Sequence, residues 1–128
     1  METGGMKGRR KEWIQRGFHH TFLCKRFNLK PIHSEYGMTE LMSQAYSKGN
    51  GYYQCPPWMK VLVRDINDPF TTQIGRAGGI KIIDLANFHS CAFIETQDLG
   101  RIMTQNGNFE VLGRFDNSDL RGCNLLVG

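Results

Sequence analysis

Tyr36, Thr39 and Glu40 fall within one short stretch, His33-Ser34-Glu35-Tyr36-Gly37-Met38-Thr39-Glu40-Leu41, and each brings a different chemistry. A tyrosine ring offers a flat face to a planar base. A threonine hydroxyl can bond a phosphate oxygen, and a glutamate carboxylate is a hard oxygen ligand suited to magnesium. Gly37 adds a place where the backbone can turn. A strand that stops at Gly37 and passes into a helix leaves N–H groups and small side chains at one point, which suits a phosphate or another anion. The same residues also fit a buried strand followed by a helix that Thr39 caps. Residue type and spacing leave both readings open.

The elements that must position these side chains can be read in outline. Gly4, Gly5 and Gly8 make the first residues a loop. Arg9 to Leu29 reads as one helix, because Ile14, Phe18 and Phe22 recur every four residues with Trp13, Leu23 and Phe27 beside them. Gly17 weakens it, and Pro31 forbids its continuation. Leu29 to Ile32 reads as a short strand, Glu40 to Tyr46 as a short helix, and Gly49-Asn50-Gly51 as its end. From Tyr52 the character turns to strands: Trp58 to Asp65, Gly79 to Leu85, Ser90 to Glu95, Gly100 to Thr104 and Phe109 to Leu112. Asn67-Asp68-Pro69, Gly75 to Gly79 and Gln105-Asn106-Gly107-Asn108 supply the turns. The expected fold class is α+β: helix, strand and short helix in residues 1–50, then a small, β-rich, barrel-like part in residues 51–128.

With 128 residues there is room for one modest domain, and a hydrophobic content of 40% is enough for its core. The net charge of +4 is a small excess. Lys7, Arg9, Arg10 and Lys11 form the one dense basic cluster, which reads as a solvated helix start, so no nucleic-acid partner is expected. No apolar run approaches the ~20 residues needed to span a bilayer. Cys24, Cys55, Cys91 and Cys123 contain no Cys-x-x-Cys pair, which argues against a zinc or thioredoxin-like site. Reduced thiols in a cytoplasmic protein are the simpler expectation.

Three segments, taken in order, resemble motifs of the adenylate-forming superfamily of acyl-CoA synthetases and luciferase-type ligases. Tyr36-Gly37-Met38-Thr39-Glu40 resembles its Tyr-Gly-x-Thr-Glu motif. Thr96-Gln97-Asp98-Leu99-Gly100 resembles its Thr-Gly-Asp-Leu-Gly segment, with Gln97 in place of the usual glycine. Gly113-Arg114-Phe115-Asp116 resembles the Gly-Arg-x-Asp hinge between large and small domains. The resemblance implies an adenylate site with Tyr36, Gly37, Thr39, Asp98 and Arg114 as nucleotide-binding residues. In it Asp98 accepts both ribose hydroxyls, Thr39 and Glu40 assist catalysis, and Glu40 holds Mg2+. Gly4-Gly5 is similar to the glycine-containing loop that borders the adenine. Read without the resemblance, Asp98 is a turn residue capping Gly100, and Arg114 and Asp116 are a surface pair worth under ~1 kcal/mol.

The Tyr-Gly-Met-Thr-Glu-Leu, Gly-Arg-x-Asp-Asn-Ser and Leu120-Arg121-Gly122-Cys123 spellings resemble the acyl-protein synthetase branch, the ligase subunit of the bacterial luminescence fatty-acid reductase. That resemblance implies ATP and Mg2+ as cofactors, a long-chain fatty acid as substrate, acyl transfer to Cys123, and an acyl-accepting reductase subunit as partner. A thiolate suits that role, and Arg121 is close enough in sequence to favour it. Beside Leu125, Leu126 and Val127, Cys123 also reads as a small core residue, as do Cys24, Cys55 and Cys91. A coenzyme A or carrier-thiol ligase and a non-catalytic basic binding module are the alternatives. The chain carries no Ser/Thr/Gly-rich phosphate loop with a lysine. The expectation is therefore a C-terminal piece of a larger enzyme, with Met1 an artificial start, inactive by itself. Its uncovered strand edges are expected to favour self-association.

Overall fold

The computed structural model describes Met1, residues 16–103 (16–20 by backbone only) and residues 107–115. Helix α1 spans Arg16–Phe27. It ends because Asn28 takes a left-handed φ of 51° and the Leu29 N–H bonds the Cys24 carbonyl at 3.0 Å, a Schellman-type cap. The helical period is as expected, but Phe22 and Phe27 on it are exposed.

Among the described residues six strands follow: β1 (Ser34–Tyr36), β2 (Ala45–Ser47), β3 (Met59–Arg64), β4 (Gly78–Asp84), β5 (Phe93–Ile102) and β6 (Phe109–Arg114). β1 and β2 form an antiparallel pair, and β3-β4-β5-β6 form one antiparallel sheet, which curls. The sheet shows the alternation expected of a half-covered face. Met59, Val61 and Val63 point inward with Ile80, Ile82, Asp84, Ile102 and Phe109, while Lys60 and Glu95 point out. Tyr36, Leu41, Ala45 and Tyr53 close the same core from the β1–β2 side. Tyr53 joins the two parts by a bridge to Phe109, with N–H to carbonyl bonds in both directions at 2.7 and 3.2 Å. The α+β class and the β-rich C-terminal half thus hold.

Four local expectations do not hold. The strand lies at 34–36, not 29–32, since Pro31 has no N–H to give a ladder. The short helix over 40–46 is absent: the chain makes a turn, with the Leu41 N–H on the Met38 carbonyl at 3.1 Å, and then enters β2. Seven residues are too few to hold a helix by propensity alone. Here the Met42 and Ser43 N–H groups go instead to the Asp84 carboxylate, at 3.0 and 2.9 Å. Gly49-Asn50-Gly51 is accordingly a turn after β2, with φ of 100° at Gly49 and 79° at Gly51. The segments read as strands 90–95 and 100–104 are one strand, β5. It runs through Gln97-Asp98-Leu99-Gly100 because β4 and β6 flank it on either side, and register shifts at Gly79/Lys81 against β4 and at Leu99/Gly100 against β6 absorb the irregularity.

Asp84 closes the corner where β4 runs into a 3-10 turn (Leu85–Asn87). It is fully buried and accepts four hydrogen bonds: the two above, one from the Ser43 hydroxyl at 2.7 Å and one from the Ala86 N–H at 3.1 Å. Trp58 Nε1 donates to the Ser43 oxygen at 2.9 Å, extending the network to the start of β3. Asn87 donates through Nδ2 to the carbonyls of Glu40 and Cys91, at 2.7 and 2.9 Å. The turn that carries Thr39 and Glu40 is therefore fixed to the β4 corner at Glu40 and, just after it, at Met42 and Ser43.

Candidate functional site

Asp98 is the point at which separated segments meet. It sits in β5 directly opposite Arg114 of β6. Arg114 Nε faces its Oδ1 at 3.4 Å, and the Tyr36 hydroxyl donates to its Oδ2 at 2.8 Å. Thr96, two residues earlier and buried, accepts the Asp98 N–H at 3.1 Å and donates to the Ile80 carbonyl at 2.9 Å. The carboxylate is thus held from behind by backbone and β-sheet, and in front by two side chains from other strands. Three of the seven expected nucleotide-binding residues, Tyr36, Asp98 and Arg114, are together at one carboxyl group.

Tyr36 meets Asp98 through its hydroxyl. Its ring is buried, edge-on to Phe109 with centroids 5.5 Å apart and tilted against Tyr53 at 5.9 Å. Burial, and then the charge and hydrogen bond of Asp98, push the phenol well above its ordinary range, so the group remains a donor across physiological pH. Arg114 Nε is buried and has no hydrogen-bond partner among the described residues. Its ion pair with Asp98 Oδ1 at 3.4 Å is too long for a hydrogen bond, and a ligand oxygen beside Asp98 would supply one.

Thr39 and Glu40 are exposed on the turn after β1. Thr39 follows Tyr36 by three residues, so its Cα lies within roughly 11 Å of that of Tyr36. With no helix starting here, the anion site expected from a helix N-terminus is absent, and the turn offers its side chains only. Glu40 has its carbonyl fixed by Asn87 and its carboxylate exposed. One such carboxylate fits a magnesium ion that takes its remaining ligands from phosphates and water. Among the described residues no cluster of three or more His, Cys, Asp or Glu side chains could hold a metal alone. Gly37 lies in tight contact: a Cβ there would come 2.9 Å from Gln44 Cγ. Gly4, Gly5, Asp116, Arg121 and Cys123 lie outside the described residues.

The described cysteines differ among themselves. Cys91 is exposed and so is not the packing residue expected. Cys55 packs against the core, and burial pushes its thiol up to about 11, against a hydrogen bond from the Val61 backbone that favours the thiolate. Only the thiolate alkylates, so at pH 7 Cys55 should react about a hundredfold or more slowly than an ordinary thiol. Mass spectrometry of chain treated with iodoacetamide should find Cys91 labelled well before Cys55, with Cys55 catching up only as the pH nears 11. Equal labelling of the two at pH 7 would contradict the burial of Cys55. Among the described residues no helix is long and apolar enough to cross a membrane.

No protein-family profile matches the chain, and no curated protein matches it. Solved structures do. ATP-bound MatB from Rhodopseudomonas palustris superposes with a TM-score of 0.59 at 20% identity, over 77% of this chain and 23% of that one. Apo MatB from the same organism gives 0.58 at 20% identity, over 78% and 24%. The luciferase-like enzyme from the nonluminescent Zophobas morio mealworm gives 0.56 at 14% identity, over 75% and 28%. The chain spans about a quarter of the length of these proteins. What it shares with them is the fold.

Proposed function

We propose that the chain is part of an adenylate-forming ligase, of the type that activates a long-chain fatty acid with ATP and loads it on a protein thiol. The observation that supports this best is the meeting of Tyr36, Asp98 and Arg114, from three separate motifs, at one carboxylate in a fold shared with an ATP-bound enzyme. In this reading the Asp98 carboxylate accepts the two ribose hydroxyls, a geometry its paired oxygens suit. Arg114 Nε, which faces Asp98 Oδ1 at 3.4 Å without a hydrogen bond, donates to the nucleotide. Thr39 bonds the α-phosphate and Glu40 holds Mg2+, which would neutralise phosphate charge. Gly4-Gly5 borders the adenine.

The fatty carboxylate oxygen attacks the α-phosphorus, and pyrophosphate leaves. The Cys123 thiolate then attacks the acyl carbonyl, and AMP leaves with the electron pair of the broken bond. A reductase partner takes the acyl group from the thioester. The protein's contribution at the first step is to align the reactants and to place donors where charge builds.

The ribose contact gives the test. Asp98→Ala should weaken AMP binding by about 10–100-fold, the loss of charge-assisted hydrogen bonds to two hydroxyls. 2′-Deoxy-AMP and 3′-deoxy-AMP should bind the wild-type chain less well than AMP, and bind Asp98→Ala no worse than AMP does. Calorimetry that finds the same deoxy penalty with and without Asp98 would remove the carboxylate from the nucleotide site. For the second step, Cys123→Ser in the enzyme carrying this chain should keep acyl-adenylate formation and lose the hydroxylamine-labile acyl-enzyme. If the labile species persists, the acceptor is another thiol, such as coenzyme A or a carrier.

A further inference from the structure

Along the outer edge of β3 a ladder stops one pair short. The Leu85 N–H donates to the Trp58 carbonyl at 2.9 Å, so the even-numbered residues of β3 bond β4, and the main-chain groups of Met59, Val61 and Val63 point away from it. Several of these outward groups are taken. The Met59 N–H bonds the Pro56 carbonyl at 3.0 Å, the Val61 N–H is accepted by the Cys55 sulfur, and the Val63 carbonyl accepts the Gln73 N–H at 2.8 Å. Residues 71–73 thus run beside the end of β3, with the Asp65 N–H on the Thr71 carbonyl at 2.9 Å and a bridge between Arg64 and Thr72.

Continued by one residue, that pairing would set Ile74 opposite Leu62. The Gly75 N–H would then reach the Val61 carbonyl, and the Val63 N–H the Gln73 carbonyl. The chain leaves instead: Gly75 turns with a φ of 79°, and its N–H bonds the Ile102 carbonyl at 2.9 Å. The Val61 carbonyl and the Val63 N–H are left without a partner among the described residues, although both residues are buried. Unpaired main-chain groups are uncommon in buried places. The divergence opens a cavity of about 670 Å³ against the β3 edge, walled by Cys55, Pro56, Pro57, Leu62, Ile74 and Ile102. That size falls among the ~300–1,000 Å³ of small-molecule sites.

The missing pair sets the chemistry of what fits. One acceptor and one donor stand at the spacing of a single extended residue, between mostly apolar walls. Pro56 bonds the ladder on one side of the gap and Gln73 on the other, so a longer strand would find no further outward group to bond. We propose that this cavity binds a small apolar diamide: one extended amino-acid residue, acylated at its nitrogen and amidated at its carboxyl. The acyl carbonyl accepts the Val63 N–H, the amide N–H donates to the Val61 carbonyl, and the side chain lies beside Leu62. The site owes nothing to the nucleotide reading and is tested apart from it.

N-acetyl-leucine methylamide carries both groups and serves as the probe, titrated into the whole chain and followed by amide NMR. The matching dimethylamide lacks only the N–H that the Val61 carbonyl needs. The methylamide should give a saturable downfield shift of the Val63 N–H. The dimethylamide should bind about tenfold more weakly, since it loses one bond and leaves a buried carbonyl unmet. Saturating methylamide should also slow the alkylation of Cys55 by iodoacetamide and leave that of Cys91 unchanged. A longer peptide, acetyl-Ala-Leu-Ala methylamide, should bind no more tightly than the capped residue. Tighter binding of the longer peptide would make β3 a docking edge for a protein strand and overturn the proposal. Equal affinity for the two leucine amides would overturn it too, as would the lack of any saturable shift at Val63, in which case water alone meets the two groups.

Discussion

Asp84→Ala is expected to destabilise the chain by about 3–5 kcal/mol, a large part of the ~5–15 kcal/mol that holds a domain of this size together. The side chain is fully buried and accepts hydrogen bonds from the Met42 N–H, the Ser43 N–H and hydroxyl, and the Ala86 N–H. Alanine leaves those donors facing a gap, and the chain from 40 to 44 loses its tie to the β4 corner. Asparagine, nearly the same shape, should do little better. Each carboxylate oxygen accepts two donors, so an NH2 group must face two of them whichever way the amide is turned. Thermal melts of the three proteins decide the matter. A fall in Tm under about 4 °C, which corresponds to about 1 kcal/mol or less, would rule out this role for Asp84.

The same network sets a pH dependence. Burial alone would raise the Asp84 carboxyl, but the bonds from Ser43, Ala86 and Met42 outweigh it and hold the group below the usual carboxylate range. A carboxyl that is more acidic folded than unfolded adds stability above its unfolded value of ~3.9 and loses it as the pH falls through the folded value. The stability gap between wild type and Asp84→Asn should therefore be full at pH 7 and narrow below about pH 4. Urea midpoints at a series of pH values measure it, and a gap that stays constant down to pH 2.5 would show that the charge does not matter.

How far this arrangement can be read in the sequence varies by element, for physical reasons. β3, β4 and β6 announce themselves because their inner faces alternate, as in Met59, Val61 and Val63. The Gly107 turn between β5 and β6 is likewise legible, with its positive φ of 78°. The stretch from 40 to 46 is not. Leu41 and Ala45 are both buried and four residues apart, which is also the signature of a helix. What decides against the helix is Asp84, more than forty residues later in the chain. No local window contains that bond. The same holds for β5, where Gln97-Asp98-Leu99-Gly100 has the residues of a turn but stays within the strand, with register shifts against both β4 and β6. For the candidate site, the motif resemblance singled out Tyr36, Asp98 and Arg114, but the partner of Arg114 follows from sheet register: it is Asp98, across the ladder.

Phe109→Ala should have an effect as large as that of Asp84→Ala, for a different cause. The ring is fully buried at the start of β6, stacked on Tyr53 at 5.5 Å and edge-on to Tyr36 at the same distance. Truncation to alanine in such a place costs about 3–5 kcal/mol through lost burial and the cavity left behind. Each aromatic pair adds about 0.5–1.5 kcal/mol. The position also joins the two parts of the chain, since the backbone of Phe109 bonds Tyr53 in both directions. Loss of the ring should therefore loosen the Tyr36 side of the core before the sheet itself. The expected product keeps its far-UV circular dichroism, loses near-UV signal and binds a hydrophobic dye, the marks of secondary structure without fixed packing. Because the Tyr36 ring rests on Phe109, its hydroxyl should also leave Asp98, and any AMP affinity should fall with it. Phe109→Leu fills most of the space and should recover cooperative unfolding, with a smaller loss of stability. If Phe109→Ala still unfolds cooperatively, with an intact near-UV spectrum and within about 4 °C of wild type, the three-ring cluster is not what fastens the β1–β2 hairpin to the sheet.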